Sequence, residues 1–201
     1  MKRPLVIGLL VFGVFACAPE QLTERELLEY IGDEGNGLSK SVTVNGAKVS
    51  VTLKPTDLLV LQELDGKSTQ ENIDSLRMHY ARFCYFVVSL SQNDRELLHQ
   101  MNGMEQYSEM VNVLSFRMGQ YVSLTTSATD TIPVNDYALN RTFGMAPSTD
   151  LLFVFDRESV IGKEWVQLNL NEFGMGLGNQ RFRFETAELL DVPQLKFSLT
   201  E

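Results

Sequence analysis

The chain has 201 residues, with 17 basic and 26 acidic side chains, so its formal net charge is −9. Its apolar fraction of 44% and charged fraction of 21% are close to those of soluble globular domains. These values exclude a wholly disordered chain, a collagen-like rod and a polytopic membrane protein. The acidic balance argues against nucleic-acid binding, because contacts with phosphates require an excess of Lys and Arg. At this length we expect one domain.

The first segment of the chain combines Lys2 and Arg3 with an apolar run from Leu5 to Phe15. This run is too short to cross roughly 30 Å of hydrocarbon comfortably, but it fits the hydrophobic region of an export signal. The residues Val14-Phe15-Ala16-Cys17 resemble the lipobox of bacterial lipoprotein precursors. The resemblance covers only this segment, and Phe15 stands where the family more commonly has a small or β-branched residue.

The resemblance implies that the precursor is cut before Cys17 and that this cysteine carries lipid on its sulfur and its amine. Residues 1–16 would be the signal peptide, residues 17–22 the lipidated cysteine and a short tether, and residues 23–201 the folded domain. It further implies a bacterial membrane location, with the outer membrane favoured over the inner one. The alternatives are a simple secretory signal cut near Ala16 or Ala18 and an uncleaved anchor.

Lipidation of Cys17 would leave Cys84 without a partner for a disulfide, since the chain has two cysteines. Cys84 lies in the apolar stretch Phe83–Val88, whose side chains raise the pKa of a thiol. We therefore expect Cys84 to be a buried structural thiol rather than a nucleophile.

The folded domain is predicted to begin directly after the tether. Thr23 and Glu26 have the spacing of a capping box, which predicts a helix that ends at Gly32. The tether from Ala18 to Leu22 would then reach at most about 17 Å when fully extended. The lipid would accordingly keep the domain close to the membrane.

Residues 41–53 give the clearest pattern, a β-hairpin with a two-residue turn at Asn45-Gly46. The turn pairs Val44 with Ala47 and Val42 with Val49. One face of the hairpin then carries its valines and Leu53, and the other face carries Ser, Thr and Lys side chains. This alternation predicts an antiparallel sheet with one buried face.

After the hairpin the apolar residues recur at helical spacing, except in one stretch. The stretch Phe83–Leu90 is apolar on both faces and predicts a central strand. Met101, Met104, Met110 and Met118 are expected to fill the core. The predicted helices are Leu58 to about Asp65 with Gly66 as its stop, a helix after a capping box at Ser68-Thr69-Gln70-Glu71, and a helix capped by Asp94 that breaks at Asn102-Gly103 and resumes from about Glu105 to Met118.

Beyond residue 120 the apolar residues alternate with a period of two. Between the first two strands lies a polar stretch from Thr126 to Asp150, which is either a functional loop or contains an unrecognised element. Together these elements predict an α+β fold, a single domain with a largely antiparallel sheet packed against several helices. The predicted strands are Tyr121–Thr125, Leu151–Phe155, Trp165–Leu170, Arg181–Glu185 and Leu195–Leu199.

The sequence offers few residues for catalysis. Neither His79 nor His99 has a second histidine or a cysteine at a metal-ligand spacing, so we expect His79 on the surface and His99 in a packing role. The glycine-rich stretch Phe173–Gln180 joins two strands and lacks the spacing of a nucleotide-binding loop, which favours a wide turn or bulge. We predict no catalytic residue, no metal site and no cofactor.

These observations favour a lipid-anchored, non-enzymatic envelope protein that binds a protein partner or a glycan or peptide ligand near the membrane. The alternatives are an envelope hydrolase whose carboxylates assemble in the fold, and a subunit of a larger surface machine that docks through the loop 126–150. The candidate ligand site is Trp165, Gln167 and Asn169, which share one face of a predicted strand. The competing interpretation places Trp165 under a helix or the long loop.

Overall fold

A computed structural model describes residues 21–64, 68–101 and 103–199 of the chain. Within these ranges the protein is a single α+β domain, as the sequence predicts. The described helices are α1 (Glu24–Gly32), α2 (Thr56–Glu63), α3 (Gln70–Tyr80), α4 (Met104–Phe116) and α5 (Thr186–Leu190). The described strands are β1 (Gln21–Leu22), β2 (Ser39–Val44), β3 (Ala47–Leu53), β4 (Phe83–Gln92), β5 (Arg95–Glu96), β6 (Val122–Thr126), β7 (Thr131–Pro133), β8 (Asp136–Asn140), β9 (Thr149–Asp156), β10 (Trp165–Leu170), β11 (Gln180–Glu185) and β12 (Gln194–Leu195).

The first sheet has the strand order β2-β3-β4-β9-β8, with β5 paired to the end of β4. All neighbouring strands in it are antiparallel. The apolar strand β4 lies between β3 and β9, which confirms its predicted central position. We call the end of this sheet where β4 begins the β1 end, because β12, the partner strand of β1, lines a cavity there together with Cys84. We call the opposite end the loop end.

The hairpin of β2 and β3 has the predicted register. Val44 pairs with Ala47 and Val42 pairs with Val49. Asn45 and Gly46 have φ values of 52° and 81°, which are the left-handed conformations that a two-residue hairpin turn requires. The helix α1 likewise begins with the predicted capping box, in which Thr23 and Glu26 exchange hydrogen bonds.

The second sheet has the order β11-β10-β6-β7 and packs its apolar face against the first sheet. The ring centroid of Phe86 on β4 lies 5.3 Å from that of Phe184 on β11 and 6.1 Å from that of Phe155 on β9. These rings are fully buried and join both sheets in one core. Aromatic side chains dominate such a core because each one removes a large apolar area from water.

Two helix starts differ from the prediction. Asn93 and Asp94 have φ values of 52° and 55° and form the two-residue turn between β4 and β5, so Asp94 does not cap a helix. Short polar side chains tolerate this conformation, and the antiparallel pairing of Gln92 with Arg95 fixes it. The helix α3 begins one residue later than its capping box predicts, because Thr69 rather than Ser68 is the N-cap. Gly66 and Asn102 lie outside the described residues.

The polar stretch 126–150 contains the short strands β7 and β8, which the sequence analysis did not identify. Both lie at sheet edges, where Pro133 is tolerated and where one side of the strand stays polar. The strand predicted at Leu195–Leu199 is correct only at Leu195. The observed strand β12 has two residues, and it pairs with β1 in a parallel arrangement.

The methionines do not form one buried stripe. Met110 and Met118 are buried and Met101 is half-buried, but Met104 is 80% exposed at the first position of α4. The prediction that Met104 fills the core is therefore wrong. None of the helices in the described ranges combines the length and apolar composition that a membrane-spanning helix requires.

Candidate functional site

The strand β10 places its side chains on alternate faces, as predicted. Val166, Leu168 and Leu170 are buried, whereas Trp165, Gln167 and Asn169 are half-buried on the opposite face. The pleat of the strand brings the three predicted ligand residues together in one row.

The neighbours of this row come from β11 and β6. The Arg183 guanidinium lies 4.2 Å from the centroid of the Trp165 ring, and its Nε is 3.6 Å from a carboxylate oxygen of Glu185. The Gln167 amide donates to Asn169 at 2.8 Å, and Asn169 donates to the Thr125 hydroxyl at 3.3 Å. One face of the indole is thus covered by a cation rather than by a helix or a loop.

Arg183 was not identified from the sequence, although its register opposite Gln167 brings it to this face. A guanidinium over an indole is a cation–π contact, which leaves less of the ring free for a stacked sugar. The row therefore suits a ligand that contacts Arg183 and the two amides, such as a peptide carbonyl or carboxylate, better than a neutral glycan.

Cys84 is buried at the β1 end of the first sheet, as predicted, and burial raises the pKa of its thiol to about 11. It lines a cavity of about 270 Å³ together with Asp57, Arg77 and Arg157. A thiol with this pKa is almost fully protonated at neutral pH, which agrees with a structural role.

Asp57 is 7% exposed and accepts three hydrogen bonds beside this cavity. Arg77 donates to its two carboxylate oxygens at 2.7 Å each, and the backbone N–H of Leu195 donates at 2.8 Å. The bonds join α2, α3 and β12, which are distant in sequence. Through the pairing of β12 with β1, they also fix the first described strand.

Glu96 is 3% exposed at the loop end of the first sheet. Its carboxylate accepts from the Thr142 hydroxyl at 2.6 Å and from the Ala146 N–H at 3.2 Å, and it lies 3.5 Å from His99 Nε2. Burial opposes ionisation, but these hydrogen bonds and one from the Gly144 backbone outweigh it and lower the pKa of Glu96.

The glycine-rich stretch is a wide turn between β10 and β11, as predicted. Its backbone N–H groups at Gly174 and Gly176 donate to Glu172 at 2.8 and 2.9 Å, and Gly178 donates to the same carboxylate. All three glycines have positive φ, so the backbone forms a concave anion site. The protein's own carboxylate fills this site.

His79 has the predicted environment, whereas His99 packs as predicted but is exposed rather than partly buried, because it lies after the buried Leu97 and Leu98 at the surface of the sheet end. His79 is exposed on α3, and His99 packs against Tyr107 with ring centroids 5.4 Å apart. Among the described residues, no group of three or more His, Cys, Asp and Glu side chains is arranged to hold a metal ion. Cys17, the predicted lipid attachment site, lies outside the described residues.

No protein-family model matches the sequence, and no curated protein matches it. A solved structure of a novel protein of unknown function from Burkholderia pseudomallei is similar to 86% of this chain and 94% of its own chain. The two share 8% sequence identity with a TM-score of 0.40. A likeness at this level carries no functional argument.

Proposed function

We propose that this chain is a lipid-anchored protein of the bacterial cell envelope that binds a partner close to the membrane without catalysing a reaction. The resemblance of Val14-Phe15-Ala16-Cys17 to a lipobox supports the anchor. Three acyl chains on Cys17 would bind a membrane far more firmly than one chain, which binds only marginally.

The position of β1 carries the proposal that the domain stays near the membrane. Gln21, four residues after Cys17, already pairs with Gln194 of β12. Four residues span at most about 14 Å when extended. A lipid on Cys17 would therefore keep the β1 end of the domain against the bilayer surface.

Three carboxylates that the fold engages are poorly suited to act as the general acid of a hydrolase. A general acid in a hydrolase needs a raised carboxyl pKa near neutrality. Hydrogen bonds from Ser159 lower the pKa of Asp156, and the pKa values of Glu96 and Glu172 are lowered in spite of burial by hydrogen bonds to their carboxylates. These three carboxylates are engaged in fixing backbone segments.

Metabolic labelling with radioactive palmitate in a bacterial host tests the anchor. The wild-type chain is expected to incorporate label and to migrate as a processed form. Cys17→Ser should accumulate as an unlabelled precursor, because the sulfur that accepts the lipid is absent.

Cys84→Ser is the matched control, since it removes the other cysteine and should still be labelled. Labelling of the Cys17→Ser chain, or equal processing of both variants, would contradict lipidation at Cys17.

A further inference from the structure

The loop 141–148, which joins β8 to β9 at the loop end of the first sheet, exposes two large apolar side chains. Phe143 is 65% exposed and Met145 is 85% exposed. Large apolar side chains exposed so close together are typical of interaction sites, because they gain free energy when a partner removes them from water.

The loop has a fixed conformation rather than a loose one. Thr142, Gly144 and Ala146 all donate to the buried Glu96 carboxylate, so alternate residues point inward. Phe143 and Met145 lie between these three and are directed outward. The Glu96 carboxylate thus holds the loop in the conformation that exposes both apolar side chains before a partner binds. Less conformational entropy is therefore lost on association.

The backbone of the loop is strained at Phe143, which has a φ of 53°. Gly144 has a φ of 80°, which glycine adopts without strain. A left-handed conformation costs a bulky residue about 1–2 kcal/mol. Strain of this kind persists only where the surroundings impose it and is concentrated at functional sites.

The surface beside Phe143 and Met145 is largely polar and charged, as is the rim around the apolar centre of a protein–protein interface. A concavity of about 580 Å³ next to Met145 is lined by the polar and charged side chains of Asp94, Arg95, His99 and Gln100 and by the apolar Ala146 and Pro147. The Arg141 guanidinium lies 5.1 Å from the Phe143 ring centroid. Apolar anchors beside arginines, with a polar rim, are the usual composition of a protein–protein interface.

The position of the loop favours a protein over the membrane. The strand β4 spans about 30 Å. Gln194 of β12, the partner strand of β1, lines the same cavity as Cys84 near the start of β4, and the loop 141–148 lies at the end where β4 finishes. Under the proposed lipid anchor, on which this step rests, the loop faces away from the bilayer. Pairing of two copies through this loop on both chains would bring like charges together, because each copy contributes Arg95 and Arg141.

We infer that the loop 141–148 docks into a partner protein that has an apolar cleft bordered by carboxylates. Phe143 and Met145 enter the cleft, and Arg141 and Arg95 pair with the carboxylates. This site lies on the first sheet and is separate from the Trp165 row on the second.

Photo-cross-linking in the cell tests this docking site. A photo-reactive phenylalanine analogue is incorporated in the full chain at position 143 or 145, and at positions 78 and 116 as controls. Met78 and Phe116 are equally exposed apolar residues, on α3 and α4. The expected result is the same protein cross-linked from 143 and 145 but not from the control positions.

The cross-linked protein is then identified, purified and titrated with the full chain. Phe143→Ser, Met145→Ser and Arg141→Glu are each expected to weaken binding at least about tenfold, whereas Met78→Ser should change it less than about twofold. Each variant is also melted, and unchanged melting temperatures separate lost contacts from unfolding.

The inference is overturned by cross-links to phospholipid or to a second copy of the chain, by equal yields from all four positions, by no cross-link at all, or by equal affinity of the variants. The titration is repeated with a Cys17→Ser chain in detergent. Its result does not depend on lipidation, so a failure of the anchor is distinguishable from a failure of the docking site.

Discussion

The two ends of the first sheet each contain a buried carboxylate, but their partners differ. At the β1 end, Asp57 forms an ion pair with Arg77, and it also accepts from the Leu195 N–H. At the loop end, Glu96 accepts from a hydroxyl and two backbone N–H groups. The first joins elements that are up to 138 positions apart, and the second shapes one loop.

This difference determines what the loss of each carboxylate costs. Without Asp57 a half-buried guanidinium is left unpaired, which is strongly unfavourable. Without Glu96 the loop donors are neutral, and water can replace the carboxylate once the loop moves outward. The β1 end should therefore depend on its carboxylate for global stability, and the loop end for local shape.

Asp57→Asn is the substitution with the largest expected effect. It keeps the shape of the side chain but removes the charge that pairs with Arg77, so the free energy of unfolding should fall by about 3 kcal/mol. Urea denaturation measures the change. Glu29→Gln, which breaks an exposed pair with Arg25, is the control and should cost less than about 0.5 kcal/mol. Equal losses of unfolding free energy for the two variants would show that the pair of Asp57 and Arg77 contributes no more than an exposed ion pair.

Glu96→Gln should cost less, about 1–2 kcal/mol, because the hydrogen-bond donors that it weakens are neutral and the neighbouring His99 side chain is partly exposed to water. Hydrogen exchange should report faster exchange at Gly144 and Ala146 and little change at Leu195. An equal increase at both ends of the sheet would show that Glu96 acts globally.

The same carboxylate makes stability depend on pH. Its pKa in the folded protein is lowered below the usual 4.5, so ionised Glu96 stabilises the fold above that value. This contribution is lost as the pH falls from 4.5 through the lower folded pKa. The wild-type chain should lose more stability than Glu96→Gln over this range, as measured by urea denaturation at several pH values.

Local signals in the sequence were sufficient for much of the fold. The Asn45-Gly46 turn and the Thr23 capping box depend on residues within a few positions of each other, and both were predicted correctly. Asp94 was misassigned because the same residue type favours a helix N-cap and a left-handed turn. Only the pairing of β4 with β5 decides between these two structures.

The residues that fix the two ends were not predictable in this way. Arg77 is 20 positions and Leu195 is 138 positions from Asp57, and Thr142 is 46 positions from Glu96. No periodic pattern connects residues so far apart. The Trp165 row was predicted from alternation within one strand, whereas Arg183 above it depends on the register of a second strand.

Cys84 provides a further test of the difference between the β1 end and the loop end, because its thiol lines the cavity at the β1 end beside Asp57. With its pKa raised to about 11 and its side chain buried, it should react slowly with a thiol reagent at pH 8 until denaturant is added. Asp57→Asn should accelerate the reaction, and Glu96→Gln should not. Cys84→Ala should destabilise the fold by about 1 kcal/mol, the usual scale for a small cavity.

Fast labelling of Cys84 in the native wild-type protein would contradict its burial. Equal acceleration by both carboxylate variants would show that the two ends open together rather than separately.

The smallest expected effect concerns Trp165, which lies on the second sheet outside both ends of the first. Arg183→Gln removes the guanidinium over the ring, and since that side chain is about half exposed the loss should be about 0.5 kcal/mol. The uncovered ring face should become more accessible to acrylamide, a neutral quencher that the change of charge does not attract. Trp165 is the single tryptophan, so its fluorescence reports on this face alone.

The same emission tests the Trp165 row as a ligand site. If the row binds a peptide, titration with that peptide should shift the emission of the wild-type chain, and Arg183→Gln should reduce the shift because it removes the charged donor. Trp165→Ala should abolish binding and change the melting temperature little, since the side chain is only half-buried. Asp57→Asn and Glu96→Gln should leave the emission unchanged below their unfolding transitions. A shift with either variant would show that the second sheet responds to the ends of the first, and that the two carboxylates act on more than their own neighbourhoods.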